Sequence, residues 1–318
     1  MNRDQEIARC LESLKHQTDK DFEVIVVDQS KNRRTKTVCR PYNLKYYRPK
    51  KRKNLAHSRN FGINMAAGDV VAFIDDDAEA KENWIEVIKK NYSQVKPSVL
   101  AGKVIDVSDP ANPVTQFQNG IVSRFGYTED LHPVSETKYN HGYKSWYTFP
   151  LGANSVFLKK EVIRVRGFDE FYDFIHEESD IALRIIKTGG NGTYDDGLVV
   201  LHHLAKSHNR KGKYKINWRV LTKNNIYFGI KNGGGWFPLK FARVMWRIFS
   251  SQGPYRIVLK QFLEGKINPF SLFYDWFMIN IGATQGIHGG LFSNRKLIHK
   301  FEVPGKYVLF TKRNHGEK

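Results

Sequence analysis

Three consecutive aspartates, Asp75, Asp76 and Asp77, stand at the exit of an apolar run, Val70-Val71-Ala72-Phe73-Ile74. The run is short and β-branched, with Gly68 before it and charge after it, which predicts a buried strand. Adjacent carboxylates repel one another, and burying them unpaired is costly. A hard divalent cation relieves both problems, because Mg2+ and similar ions take oxygen ligands and share them with substrate phosphates. In an open α/β sheet, ligands bind at the carboxyl ends of the strands. The plainer alternative is a helix cap ahead of Ala78 to Lys90, which reads as helix, but a cap needs one aspartate and not three.

Around this run the hydrophobic pattern changes period repeatedly. Residues 4–17 place Ile7, Cys10, Leu11 and Leu14 at helical spacing. Phe22 to Val27 reads as a strand with Asp28 at its end, Lys45 to Tyr47 as a short strand, and Leu55 to Ala67 as a helix closed by Gly68. Leu100 to Val107 is a further strand. Residues 108–150, with Pro110, Pro113 and Pro133, read as a loop-rich insertion. Helical pattern returns at Lys160 to Arg166 and at Glu178 to Lys187, and the strand Leu198 to Leu201 leads into His202 and His203. This alternation predicts an α/β fold: a mostly parallel, Rossmann-like sheet with helices on both faces.

A chain of 318 residues suffices for one large domain or two smaller ones. Its net charge of +19 is unevenly spread: residues 1–205 carry 30 Lys/Arg against 28 Asp/Glu, and residues 206–318 carry 21 against 4. A near-neutral catalytic part (1–205) and a basic, mainly helical C-terminal part (206–318) are expected. In the second part, Phe237 to Phe249 interleaves apolar residues with Lys240, Arg243 and Arg247, with Trp236 just before it and Trp246 within it. That is the pattern of a helix lying in an anionic membrane interface, or of one packed on the catalytic part with a solvated basic side. Nucleic acid is not expected as a partner, for the basic tail carries no zinc-finger spacing, ribonucleoprotein motif or clear helix-turn-helix. The most apolar stretch, Pro269 to Leu291, contains Asp275, Asn280, Gln285 and His288 and is not read as a membrane span. Cys10 and Cys39 fit neither a metal site nor a disulfide framework, which points to a reducing compartment. The first residues lack the apolar core of a signal peptide.

Further candidates flank the aspartates. Asp28, at a strand exit, can accept hydrogen bonds from a base or ribose, or serve a loop turn. Arg59 and Asn60 lie on the helix before the aspartate strand, where Arg59 can neutralise carboxylates, approach a diphosphate or make a surface ion pair. His176-Glu177-Glu178-Ser179-Asp180 opens a helix, where acidic residues suit the dipole. Capping accounts for Ser179 or Asp180 but not for two glutamates before them, so Glu178 is the candidate general base, needing to stay ionised and reach a hydroxyl proton. His202 and His203 can complete a carboxylate metal site, or be structural.

Taken in order, Ile25-Val26-Val27-Asp28, Asn54…Ala56-His57-Ser58-Arg59-Asn60-Phe61-Gly62, Gly68-Asp69…Phe73-Ile74-Asp75-Asp76-Asp77, Gly152-Ala153-Asn154-Ser155…Gly167-Phe168-Asp169-Glu170 and Glu177-Glu178-Ser179-Asp180-Ile181…Arg184 resemble the family 2 glycosyltransferases of GT-A fold. The resemblance covers about residues 2–204. It implies transfer from a nucleotide-diphospho-sugar, with inversion, to an acceptor hydroxyl on a glycan or lipid-linked acceptor, in cell-surface glycan or polysaccharide synthesis. Asp28 would contact the nucleotide base. Asp75 and Asp77 would form the Asp-x-Asp pair, with Asp77 on Mn2+ or Mg2+ and Asp75 near the ribose or the metal. Arg59 and Asp76 would face the donor. Glu178, beside Glu177, takes the base position, and His202 matches the family's metal histidine better than His203. The expected location is the cytoplasmic face of the cell membrane, as a peripheral protein.

One departure stands out. Members of the family usually start with a strand and a short turn before Asn-Arg and the first helix, and here Met1-Asn2-Arg3 begins at that turn. A misassigned start codon is one expectation. A truncated, non-catalytic relative that binds nucleotide sugar weakly or not at all is the other.

Overall fold

The periodic apolar positions of the first residues fold into α1 (Asp4–Lys15), which buries Ile7, Cys10, Leu11 and Leu14 on one face. A computed structural model describes residues 3–49, 53–130, 146–173, 175–205, 216–250, 253–298 and 308–310. Met1 and Asn2, Pro133 of the insertion and the start of the basic region at 206–215 lie outside the described residues. After α1 come β1 (Ile25–Val27), α2 (Arg34–Cys39), β2 (Leu44–Tyr47), α3 (Leu55–Met65) and β3 (Val70–Phe73). The expected strand from Phe22 is thus confined to its last three residues. Asn54 caps α3 by accepting a hydrogen bond from the His57 N–H.

The helix expected from Ala78 to Lys90 is not continuous. Ala78–Ala80 forms β4, and α4 runs from Trp84 to Gln94. Ala-Glu-Ala fits either period, and here the period of two prevails, with Ala78 and Ala80 buried and Glu79 turned outward. The cause is tertiary: β4 pairs antiparallel with the end of β11 (Gly192–His202), which sets His202 opposite Ala78. β11 is longer than the expected Leu198 to Leu201 because its first half pairs with β5 (Val99–Asp106) ahead of an irregularity between Asp195 and Val199.

Part of the expected loop-rich insertion is also β-structure, with β6 (Val114–Phe117), β7 (Gly120–Ser123), β8 (Thr128–Asp130) and β9 (Trp146–Thr148). β10 (Ser155–Leu158), α5 (Lys159–Arg164) and α6 (Glu177–Lys187) follow. The central sheet has the order β3-β10-β5-β11-β4, with β6 on the far part of β5. It is mixed: β11 runs parallel to β5, whereas β10 enters antiparallel between β3 and β5. β10 arrives from the inserted strands and not through a helical crossover, so nothing forces it parallel. β1 and β2 pair in parallel in a separate small sheet with β12 (Val308–Phe310).

One core lies between the central sheet and α3, α5 and α6, and a second lies on the opposite face against α1 and α4. The basic region forms α7 (Trp218–Asn232), α8 (Phe237–Phe249), α9 (Pro254–Leu263) and α10 (Pro269–Phe292). α7 gives Tyr227 and Phe228 to the first core. Its other side packs on α10 through Gly282, Gly286 and Gly290, where a Cβ would run into Arg219, Lys223, Ile226 or Ile230 of α7. No helix among the described residues is long and apolar enough to cross a membrane.

Candidate active site

Strand pairing builds the acidic corner. β3 delivers Asp75 and Asp77, and β11 brings His202 beside them, so that one ligand atom from each lies within 4.8 Å of the others. His202 Nε2 is 3.1 Å from Asp77 Oδ1 and 4.0 Å from Asp75 Oδ2. Gln116 Oε1 lies 2.8 Å from His202 Nδ1, an outer partner of the kind that fixes a ligand imidazole. The Ala205 N–H donates to Asp77 Oδ2 at 2.8 Å. Burial pushes Asp77 up, but the His202 hydrogen bond, the charges of His202 and Arg3 and the Ala205 N–H outweigh it and bring the carboxyl down to about 2. Asp75 moves the other way, because burial, reinforced by repulsion from Asp77 and Glu178, exceeds the attraction of Arg59 and His202. Two carboxylates and an imidazole gathered this closely suit a divalent cation, whose charge would relieve the repulsion.

Asp76 and His203 are not part of that group. Asp76 is half exposed and accepts from Arg3 Nη1 at 2.5 Å. His203 Nε2 is 2.5 Å from Glu79 Oε1, because successive residues leaving β11 point to opposite sides.

Arg59 connects this corner to the two glutamates. It is buried, with its guanidinium beside the paired rings of Phe73 and Phe168, 5.7 and 5.5 Å from their centroids. Arg59 Nη1 is 3.0 Å from Glu178 Oε1 and 3.2 Å from Glu177 Oε1, and Nη2 is 4.0 Å from Asp75 Oδ1. Burial opposes the Arg59 charge, but Glu178, Glu177 and Asp75 together outweigh burial and hold it protonated. Glu177 is 2% exposed and Glu178 13% on the side chain, so Glu178 is the more accessible carboxylate. Burial, then repulsion from Glu178, raises the pKa of Glu177. Ile175 and His176, just ahead, take left-handed φ values of 67° and 72°, a costly conformation for both residue types. Gly152 lies against the pair, where a Cβ would collide with Glu178 Oε1 and Arg59 Nη2.

Asp28 is buried at the exit of β1. Its Oδ2 accepts from Tyr46 Oη at 2.5 Å and from Arg48 Nη1 at 3.3 Å, and its Oδ1 accepts from the Ser30 N–H at 2.7 Å. The carboxylate therefore does close a turn. Reading the sequence missed Arg3, Gln116, Tyr46 and Arg48. Gln116 had no signal, lying in a stretch read as loop. Tyr46 was within reach, since a strand parallel to β1 must set some residue beside Asp28.

Comparison with known proteins bears on the family and the fold. The family model described as glycosyl transferase family 2 matches residues 1–162. An uncharacterized glycosyltransferase of Haemophilus influenzae is 37% identical over 123 residues, which are 35% of this chain and 42% of that protein. Among solved structures, S. aureus TarS superposes with a TM-score of 0.54 at 16% identity, over 89% of this chain and 53% of that one. GalNAc-T7, solved with UDP, GalNAc and Mn2+, gives 0.52 at 15% identity, over 76% and 53%. At these identities the two structures share the fold. The chain spans less than half the length of the curated relatives it matches.

Proposed function

Because the chain belongs to glycosyl transferase family 2, we propose that it is a metal-dependent, inverting glycosyltransferase that moves a sugar from a nucleotide-diphospho-sugar to an acceptor hydroxyl. The observation that carries this reading is Arg59, which ties Glu178 to Asp75 and so couples a candidate base to a candidate metal corner.

In this reading Asp28 receives the nucleotide base, held in place by Tyr46, Arg48 and the Ser30 N–H. Asp75, Asp77 and His202 hold Mn2+ or Mg2+, which when bound supplies positive charge to the donor's diphosphate. Glu178 takes the proton of the acceptor hydroxyl as its oxygen bonds to the anomeric carbon, from the face opposite the diphosphate. The bond from that carbon to the diphosphate breaks, and the nucleoside diphosphate leaves with the electron pair. Arg59 orients Glu178 through their ion pair, while burial makes Glu177 more easily protonated than an ordinary carboxylate and so limits the negative charge beside it.

The same reading places the enzyme on an anionic membrane surface, on its cytoplasmic face, in cell-surface glycan synthesis. Support comes from α8 and α10. Trp236 and Trp246 are 71% and 68% exposed, and Phe270, Phe273 and Phe277 of α10 are exposed at helical spacing, among the basic side chains of this region.

The test is a panel of nucleotide sugars incubated with the full chain, with release of nucleoside diphosphate measured in Mn2+ and again in EDTA. At least one donor is expected to turn over only with the metal. Turnover of none, or turnover indifferent to EDTA, would remove the reading.

A further inference from the structure

A cavity of about 810 Å3 lies apart from the metal corner, between α7, α10 and the loop that leads into Glu177 and Glu178. Four of its lining side chains are Lys or Arg and two are acidic. Both acids are already engaged. Glu170 lies 2.8 Å from His57 Nδ1 and 3.8 Å from Lys53 Nζ, and Asp173 lies 2.5 Å from Lys223 Nζ. Arg219 and Lys296 are exposed in the cavity and pair with no carboxylate among the described residues. Lys223 and Lys296 both lie over the ring of Phe171, at 4.7 and 5.6 Å. Like charges are thus crowded together. Burial lowers the pKa of Lys223, and repulsion from Arg219 and Lys296 adds to the effect despite Asp173. A surplus of convergent cations in a concavity is the footprint of an anionic ligand, and the guanidinium fork matches phosphate oxygens.

The cavity also adjoins the catalytic elements. Its wall includes Asn54, the cap of α3, and that helix carries Arg59. The Lys53 N–H donates to Gln29 Oε1, next to Asp28. On the α10 side, Thr284, Gln285 and His288 offer neutral polar groups of the kind that meet hydroxyls.

We propose that this cavity binds a phosphate group of the acceptor, which is a sugar or polyol phosphate, with Arg219 and Lys296 on the phosphate and Thr284, Gln285 and His288 facing its hydroxyls. The inference rests on the glycosyltransferase reading, in which the donor's diphosphate is held at Asp75, Asp77 and His202 instead. Phosphate is the shared chemistry of two sources, a water-soluble polyol phosphate and a lipid-linked one.

The test is calorimetric titration of the full chain, with Mn2+ and a saturating nucleoside diphosphate present so that the donor site is filled. The probes are glycerol phosphate, glycerol, and phosphatidylglycerol in phosphatidylcholine vesicles, with phosphatidylcholine vesicles alone as blank. Phosphate-dependent binding is expected for glycerol phosphate, for phosphatidylglycerol or for both, and the probe that binds identifies the source. Replacing Arg219→Ala together with Lys296→Ala is expected to weaken that binding by about tenfold or more. Arg256→Ala with Lys260→Ala, an equal loss of charge on α9, is expected to leave it nearly unchanged. Failure of both phosphate probes, equal loss in the two double variants, or binding that nucleoside diphosphate abolishes would each overturn the proposal. Nucleotide-sugar titration of the unaltered chain separates the two ideas: no donor binding there contradicts the glycosyltransferase reading, whereas donor binding without phosphate binding contradicts only this one.

Discussion

Glu177 and Glu178 are neighbours in sequence with different environments, and the difference supports the roles proposed for them. Glu177 is nearly sealed and has one oxygen with no hydrogen-bond partner, whereas Glu178 is partly accessible and faces Arg59. A base has to reach solvent or substrate to exchange its proton, so the account gives that work to Glu178. Glu178→Gln keeps the shape and still accepts from Arg59 but takes no proton. It is expected to bind nucleotide sugar and metal as before and to lose kcat by about 100-fold or more. Transfer at the original rate would move the base elsewhere. Asp28, Asp75, Asp77, Arg59 and Glu178 were all legible as candidates, because charged side chains at strand and helix ends need a reason to be there. The choice of His202 over His203 was not legible from the residues alone, since it depends on which way β11 faces when it pairs with β4.

At the scale of elements, α6 is held at its first turn. His176, ahead of it, meets Asn225 of α7 at 2.6 Å through Nε2. Within it, the buried Asp180 is bound by Arg184 at 2.7 Å and by Arg295 at 2.5 Å, and Arg295 also lies 3.5 Å from the buried Asp169. These cations, with Asn232, outweigh burial and hold Asp180 below the usual carboxylate range. Arg295→Gln strips one cation from this cluster. It is expected to cost about 3 kcal/mol, the low end for breaking a buried pair because Arg184 and Asn232 remain. Urea unfolding should show the midpoint fall, and an unchanged midpoint would mean that Arg184 alone suffices. Helices α1, α3, α6 and α8 were legible because each writes an apolar face at helical spacing or carries a clear start. β4 and the strands of the insertion were not. Ala78-Glu79-Ala80 is too short to declare a period, and its pairing partner is more than a hundred residues away. The antiparallel entry of β10 was hidden for the same reason, for strand order and direction are properties of the whole sheet.

For the whole molecule, the basic region is not an appendage. α7 completes the core beside α6, which begins at Glu177 and Glu178, so the aromatic face of α8 and α10 is fixed relative to the candidate site. Each Lys or Arg near an anionic bilayer contributes about 1 kcal/mol, weakened by salt. Full chain is expected to co-sediment with anionic vesicles, less so as salt rises. The variant Phe270→Ser with Phe273→Ser and Phe277→Ser is expected to lose most of what high salt leaves behind. Equal sedimentation with neutral and anionic vesicles would reject the charge argument, and an unaffected triple variant would reject the aromatic one. The central claim is that Asp75, Asp77 and His202 hold a metal through which donor binding depends. The most direct measurement is titration of a nucleotide-diphospho-sugar into the full chain in Mn2+, in EDTA, and into Asp77→Ala in Mn2+. The account predicts saturable binding in the first case, with the affinity of the variant falling to that of the EDTA sample. Equal affinity in all three would contradict it.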